Sequence, residues 1–156
     1  MENESTSQQA EDVVVRLLAR REHSQLELQQ KLKQRGFDHD TSLKVLEKAK
    51  ANGWQSDERF AEVWVRSCIA RGDGVSKIRA QAPQKGIPPE LVEAALQQEQ
   101  PNWVELCYQR LVRKFGQRPV ADTKQREKII RHLLQRGFTF AVIKQALQRQ
   151  SQAELD

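Results

Sequence analysis

The sequence is short of most features that announce a chemistry. Cysteine occurs twice, at Cys68 and Cys107, and neither has a second Cys or a His at ligand spacing. That points to two buried thiols in a reduced compartment and away from a zinc module. No apolar run approaches a membrane span. The start, Met1-Glu2-Asn3-Glu4-Ser5, has neither the basic nor the apolar region of a signal peptide, so a cytoplasmic protein is expected. There is no GxxxxGK[ST] and no GxGxxG, the loops that cradle phosphates. No stretch alternates cleanly enough to read as a strand. The histidines, His23, His39 and His132, are far apart and read as solvated surface residues. The acids gather in first helical turns, where the dipole favours them, and no pair stands out as catalytic. An enzyme, a metal site and a cofactor are therefore not expected. Hydrophobic residues make up 38% of the 156 and the mean hydropathy is −0.75, which suits small helical units with thin cores better than one large core.

What the chain does have is a repeated phrase. Leu32-Lys33-Gln34-Arg35-Gly36-Phe37 returns as Leu133-Leu134-Gln135-Arg136-Gly137-Phe138, and Ala82-Pro83-Gln84-Lys85-Gly86-Ile87 is a degraded copy between them. The three glycines lie 50 and 51 residues apart. Gly supplies the positive φ needed just past a helix end, the cation before it suits the negative end of the dipole, and the bulky residue after it folds back. Eight residues before each Gly stands Leu28, Ile78 or Ile129; four before, Leu32, Ala82 or Leu133; ten after, Leu46, Leu96 or Leu147. Three coincidences in phase argue for a tandem repeat.

Reading the caps and stripes in order gives an all-α chain of about nine helices in three tandem three-helix repeats. Residues 1–12 read as an acidic flexible tail and 151–156 as a polar tail. The repeats run 13–53, 54–100 and 101–150. Ser24-Gln25-Leu26-Glu27 is a capping box; Asp38 or Asp40, Ser56, Asp122 or Thr123, and Thr139 are further N-caps. Leu43 and Leu46 should point inward from the third helix; Phe60, Val63, Trp64 and Cys68 should form the stripe of the fourth. Gly72-Asp73-Gly74 reads as a helix break. Pro83 lies where a helix should end, which predicts a short or bent fifth helix.

The charge is uneven. The chain carries a net +5 and a pI of about 9.4. Residues 106–150 hold eleven Lys or Arg against two acids, a net +9. Any single cation is more easily read as part of a solvated face, but a bias of that size suits a phosphate backbone. Trp54, Trp64, Trp103 and Phe115 sit at helical spacing or helix starts, where core packing is the stronger reading than base stacking.

Gly53-Trp54-Gln55-Ser56-Asp57-Glu58-Arg59-Phe60-Ala61, with Arg71-Gly72-Asp73-Gly74, Lys77-Ile78-Arg79 and Gln84-Lys85-Gly86-Ile87, resembles the RecX family of bacterial recombination regulators. So does Leu17-Leu18-Ala19-Arg20-Arg21-Glu22-His23-Ser24 with Glu27-Leu28 and Lys31-Leu32. The likeness spans roughly 13–148. Ala82 and Pro83 depart from it, since the family usually has Leu at the first and no proline at the second. The resemblance implies three-helix repeats in an elongated, curved molecule. It implies a protein that lodges in the groove of the RecA filament on DNA and restrains filament extension, ATP hydrolysis, strand exchange and co-protease activity; a monomer is expected. It also implies direct affinity for DNA; the partner expected is single- and double-stranded DNA without sequence specificity, and no membrane. Charge alone nominates Arg59, Arg66, Arg71, Lys77, Arg79, Arg113, Lys114, Lys124, Lys128 and Arg131 as contacts to RecA or DNA. The rivals are a free-standing basic protein of the helix-turn-helix kind, and a helical scaffold for an acidic protein partner.

Overall fold

Local chemistry sets the helix boundaries. A computed structural model of the chain describes residues 2–120 and 122–153, with nine α-helices, one 3-10 turn and no strand among them. Helix α1 runs Glu2–Arg20. Ser24 opens α2 (Gln25–Gln34): the Glu27 amide donates to its hydroxyl at 3.1 Å, and its own amide donates to the Glu27 carboxylate at 3.2 Å. Two orphan donors are thereby satisfied. Asp38 caps α3 (His39–Ala51), accepting from the Thr41 amide at 2.7 Å. Ser56 does the same for α4 (Asp57–Arg71), with the Arg59 amide at 3.1 Å. Helix α5 (Val75–Gln81) has seven residues and continues as a 3-10 turn, Ala82–Lys85, so the helix is short where Pro83 withdraws a backbone donor. Pro89 occupies the first turn of α6 (Pro89–Glu99), where its missing N–H costs nothing. Asn102, Asp122 and Thr139 cap α7 (Trp103–Phe115), α8 (Thr123–Gln135) and α9 (Phe140–Ala153).

The repeated phrase is a stop in all three copies. Gly36, Gly86 and Gly137 have φ of +89°, +77° and +96°. The residue after each glycine turns back to the same repeat position: Phe37 to the Leu32 carbonyl, Ile87 to that of Ala82 and Phe138 to that of Leu133, each at 3.1 Å. These bonds satisfy carbonyls that a helix end leaves over. All nine residues at the three in-phase positions are buried, Leu28, Leu32, Ile78, Ile129 and Leu133 completely. Each such Leu or Ile stabilises by about 1.5–3 kcal/mol relative to exposure.

The chain divides into two compact units. One takes the residues up to Trp64 with Ala82–Ala95; the other takes Val65–Gln81 with the residues from Leu96 on. In the first, α1, α2 and α3 close on Ala10, Val14, Leu17, Leu28, Leu32, Leu46 and Ala49, with Phe37 against the edge. Gln55, 1% exposed, ties this unit together: its amide donates to the His23 carbonyl and to Asp57. Asp57 also accepts from the Gln25 amide at 2.9 Å. In the second unit, α7, α8 and α9 close on Cys107, Leu111, Ile129, Leu133, Phe138, Ile143 and Leu147, flanked by Trp103, Tyr108 and Phe115. Gln150 is buried there and donates to the Gly116 carbonyl at 2.9 Å.

Four expectations are corrected. Residues 2–12 of the expected 1–12 tail are the first turns of α1. Ala10 is fully buried one turn before Val14, and Glu11 pairs with Lys48 at 2.9 Å, so packing extends a stretch whose polar composition gave no stripe. Residues 151–153 of the expected 151–156 tail belong to α9, while Met1 and residues 154–156 lie outside the described residues. Leu43 and Val63 are exposed, at 46% and 43%; Val45 and Ala49 in α3, and Ala61 and Val65 in α4, take the inward places. His23 is buried at 3% and bonded to the Arg21 carbonyl at 3.0 Å, which satisfies one ring nitrogen in place of water.

Candidate nucleic-acid interface

The second unit concentrates cations around one turn. Helix α4 ends at Arg71, and Gly72 (φ +95°) and Asp73 close it, with the Asp73 amide donating to the Cys68 carbonyl at 3.0 Å. Helix α8 ends in the same manner at Arg136 and Gly137. These two turns, far apart in sequence, dock backbone to backbone. The Gly74 amide donates to the Arg136 carbonyl at 2.7 Å, and the Ser76 amide to the Gly137 carbonyl at 2.9 Å. The approach leaves no room for a side chain at Gly74: a Cβ there would lie 2.3 Å from the Gly137 carbonyl carbon and 2.4 Å from the Phe138 nitrogen.

The docking buries the Asp73 side chain completely and rings it with cations. Arg71 donates to Oδ2 from Nε at 3.1 Å and from Nη2 at 2.8 Å. Lys77 Nζ and Arg136 Nη2 each stand 3.2 Å from Oδ1. Arg136 Nη2 also donates to the Arg71 carbonyl at 3.1 Å, which pins it across the turn. Burial pushes the Asp73 carboxyl up, but the Arg71 and Lys77 contacts outweigh it and hold the group below the usual carboxylate range. An isolated buried carboxylate would be costly; one so surrounded stays ionised.

Helix α7 adds Arg110 and Arg113 to the same surface. A Cβ on Gly72 would lie 3.6 Å from Arg136 Nη2 and 4.0 Å from Arg110 Nη1, so both guanidiniums lie against this turn. Arg110 Nε donates to His132 Nε2 at 3.2 Å, which requires the neutral ring with its proton on Nδ1. Phe115 meets the same ring edge-on, centroids 5.6 Å apart. Burial, then repulsion from Lys114, Arg110 and Arg136, holds His132 below its ordinary pKa. Arg110 is itself lowered, by burial first and then by Arg136 and Arg113. The cluster is Arg71, Lys77, Arg110, Arg113 and Arg136 against a single carboxylate. Apart from it, Cys107 is sealed in the core, its thiol pushed up to about 12 by burial, and no group of three or more His, Cys, Asp or Glu among the described residues could hold a metal ion.

Of the residues nominated by charge, the cluster gathers Arg71, Lys77 and Arg113. Lys124, Lys128 and Arg131 are exposed on α8 at spacings of four and three, one stripe of that helix. Lys114 and Arg79 are exposed on α7 and α5. Arg66 pairs with Glu99 at 2.9 Å. Arg59, in the first unit, pairs with Glu22 at 3.1 Å and donates to the Gly53 and Trp54 carbonyls at 2.8 and 3.1 Å. It completes the end of α3, a structural task. Asp73, Arg110, Arg136 and His132 were not among the nominees. The visible signal was Arg71-Gly72-Asp73-Gly74 itself, a carboxylate set between two glycines.

The described helices include none long and apolar enough to cross a membrane. Residues 10–48, 56–96 and 104–147 match, in order, the first, second and third three-helix domains of RecX. The chain is 40% identical over 136 residues to the regulatory protein RecX of Chromohalobacter salexigens, covering 87% of this chain and 89% of that one. It is 40% identical over 132 residues to that of Legionella pneumophila, covering 85% and 88%. A crystal structure of a regulatory protein RecX superposes with a TM-score of 0.77 at 23% identity, over 92% of this chain and 73% of that one. That of RecX from Lactobacillus salivarius gives 0.76 at 19%, over 94% and 97%. At those identities the two structures speak for the fold alone.

Proposed function

The chain belongs to the RecX family of regulatory proteins, and from that membership we propose that it is a negative modulator of a RecA recombinase in the cytoplasm. It binds in the groove of the RecA–DNA filament and inhibits filament extension, ATP hydrolysis, strand exchange and co-protease activity. The observation that carries this reading is the match of all three RecX domains in order along one chain. The modules are taken as 13–53, 54–100 and 101–150, acting within one monomer.

The physics needs no catalytic group. A body lodged in the groove opposes the subunit movements that accompany ATP turnover. Several weak contacts on linked modules multiply through effective concentration. The cations of the second unit supply affinity for the phosphate backbone without reading bases, so binding to single- and double-stranded DNA is salt-sensitive and indifferent to sequence. DNA-stimulated RecA ATPase is the test. A sub-stoichiometric amount of the protein lowers the rate, and an unchanged rate rejects the proposal. Filter binding of random single and double strands, with and without RecA, separates it from a free-standing DNA-binding protein, which would bind one duplex sequence tightly on its own.

A further inference from the structure

The cations around Asp73 are not equivalent. Arg71, Lys77 and Arg136 are engaged by its carboxylate. Among the described residues neither Arg110 nor Arg113 pairs with an acid. Arg110 is fixed instead through Nε on His132, which leaves its two terminal nitrogens to donate elsewhere. Five cations around one carboxylate leave a local net of +4. Concentrating them has a cost: Arg110, lowered first by burial, is lowered further by its neighbours Arg136 and Arg113. A bound anion would remove it.

A small cavity opens beside this pair. It measures about 60 Å³ and is lined by Ile69, Ala70, Gly72, Leu106, Gln109 and the two arginines. The two arginines that line it can present their free donors to the oxygens of one bound anion. Gly72 keeps the approach short, since any side chain there would stand over the Arg110 and Arg136 guanidiniums.

We propose that the α4–α5 turn and the facing part of α7 form a binding site for one phosphodiester of a nucleic-acid strand, with Arg110 and Arg113 as its ligands and Asp73 as the positioning residue that holds Arg71 and Arg136 beside them. This rests on the reading that the chain contacts DNA within the RecA filament. Guanidinium forks suit phosphate oxygens in bidentate fashion. A carboxylate of a protein partner would use the same forks and carries the same single charge, but a strand brings further phosphates in succession to a surface with a local net of +4.

The test is fluorescence anisotropy with a labelled single-stranded oligothymidylate over a salt series, using the full chain. Arg110→Gln/Arg113→Gln is compared with Lys33→Gln/Lys44→Gln, which removes the same charge from exposed positions of the first unit. The site variant is expected to bind about tenfold more weakly. Its log–log salt slope should be shallower by about 0.7 for the lost phosphate. The control pair should change affinity by less than about twofold. Circular dichroism and melting accompany each variant; Arg113→Gln alone, on an exposed side chain, carries the comparison if the double variant unfolds. Equal losses in the two pairs overturn the site and leave the DNA reading standing. Wild type that fails to bind the oligonucleotide at low salt overturns both. A glutamate homopolymer whose binding depends on Arg110 and Arg113, while that of the oligonucleotide does not, assigns the surface to an acidic protein and also overturns the proposal.

Discussion

Gly36 and Gly137 stand at the same place in the repeat, yet their replacement by alanine should cost very different amounts. Both have φ near +90°, and a side chain in that region costs about 1–2 kcal/mol. Alanine also stiffens the unfolded chain, which returns about 0.4–1 kcal/mol. For Gly36 nothing lies within 4 Å of a Cβ, so the net cost of Gly36→Ala should be about 1 kcal/mol or less. At Gly137 a Cβ would lie 2.4 Å from Lys77 Cβ, 2.6 Å from the Lys77 nitrogen and 3.0 Å from the Gly74 oxygen. These are backbone or near-backbone atoms, so the two turns must move apart. The crowding adds about 1–3 kcal/mol, and the strained Gly74–Arg136 and Ser76–Gly137 bonds about 1 kcal/mol each at most. Gly137→Ala should therefore cost about 3–4 kcal/mol. Gly74→Ala separates the causes, since Gly74 has ordinary φ and is crowded only. Urea unfolding at constant m measures all three. A Gly137→Ala cost within about 0.5 kcal/mol of the Gly36→Ala cost would refute the docking of the two turns.

Other outcomes follow from the same geometry. Asp73→Asn leaves three cations without their carboxylate and should destabilise by about 2–3 kcal/mol, below the full loss for a buried pair because Arg71 is 58% exposed and turns to water. Since the native carboxyl is held low, the wild-type advantage over Asp73→Asn is full above the unfolded value of about 3.9 and disappears as pH falls through the native value; an advantage that persisted in acid would refute the ion cluster. His23 and His132 are both held low, so the unfolded chain protonates first: stability is steady above about pH 6.5 and falls below it. Melting scans from pH 8 to 5 should show that fall, reduced in His132→Gln; an identical profile in the variant would remove His132 from the account. Reversing Lys124, Lys128 and Arg131 together should weaken inhibition of RecA ATPase several-fold, and full inhibition by that variant would show that this face of α8 makes no contact.

What could be read in one dimension was local. Ser24 and Glu27, Asp38 and Thr41, and the glycine stops each act within about four residues, so the sequence contains both partners. The choice of stripe was harder. In α4 the bulk of Trp64 and the branch of Val63 outweighed Ala61 and Val65, though the smaller pair with Phe60 and Cys68 is what lies inside. Ala10 was invisible for the same reason, a small residue in a polar run. The candidate site was the least legible part. Arg136 belongs to a helix stop, Arg110 to a helix face and Asp73 to a helix break; no spacing links positions 73, 110 and 136. Only the meeting of two glycine turns brings them together.

That meeting also explains why a carboxylate belongs inside a basic surface. Five cations drawn together without Asp73 would repel one another, with only the Arg110–His132 and Arg136–Arg71 carbonyl bonds left to hold two of them. One buried carboxylate fixes three of them at 2.8–3.2 Å and still leaves the surface positive. The remaining field fades over a Debye length of about 8 Å at physiological salt, so such a site attracts a phosphate at short range and does little at a distance. Under the proposed function, a hold on DNA at such a site is accordingly weak alone and depends on other contacts being made at the same time. For a protein proposed to restrain a filament that must later be released, a strong single contact would be a disadvantage. Several weak ones, each pre-formed by packing, give attachment that is firm while the modules are all engaged and is lost quickly once one or two let go.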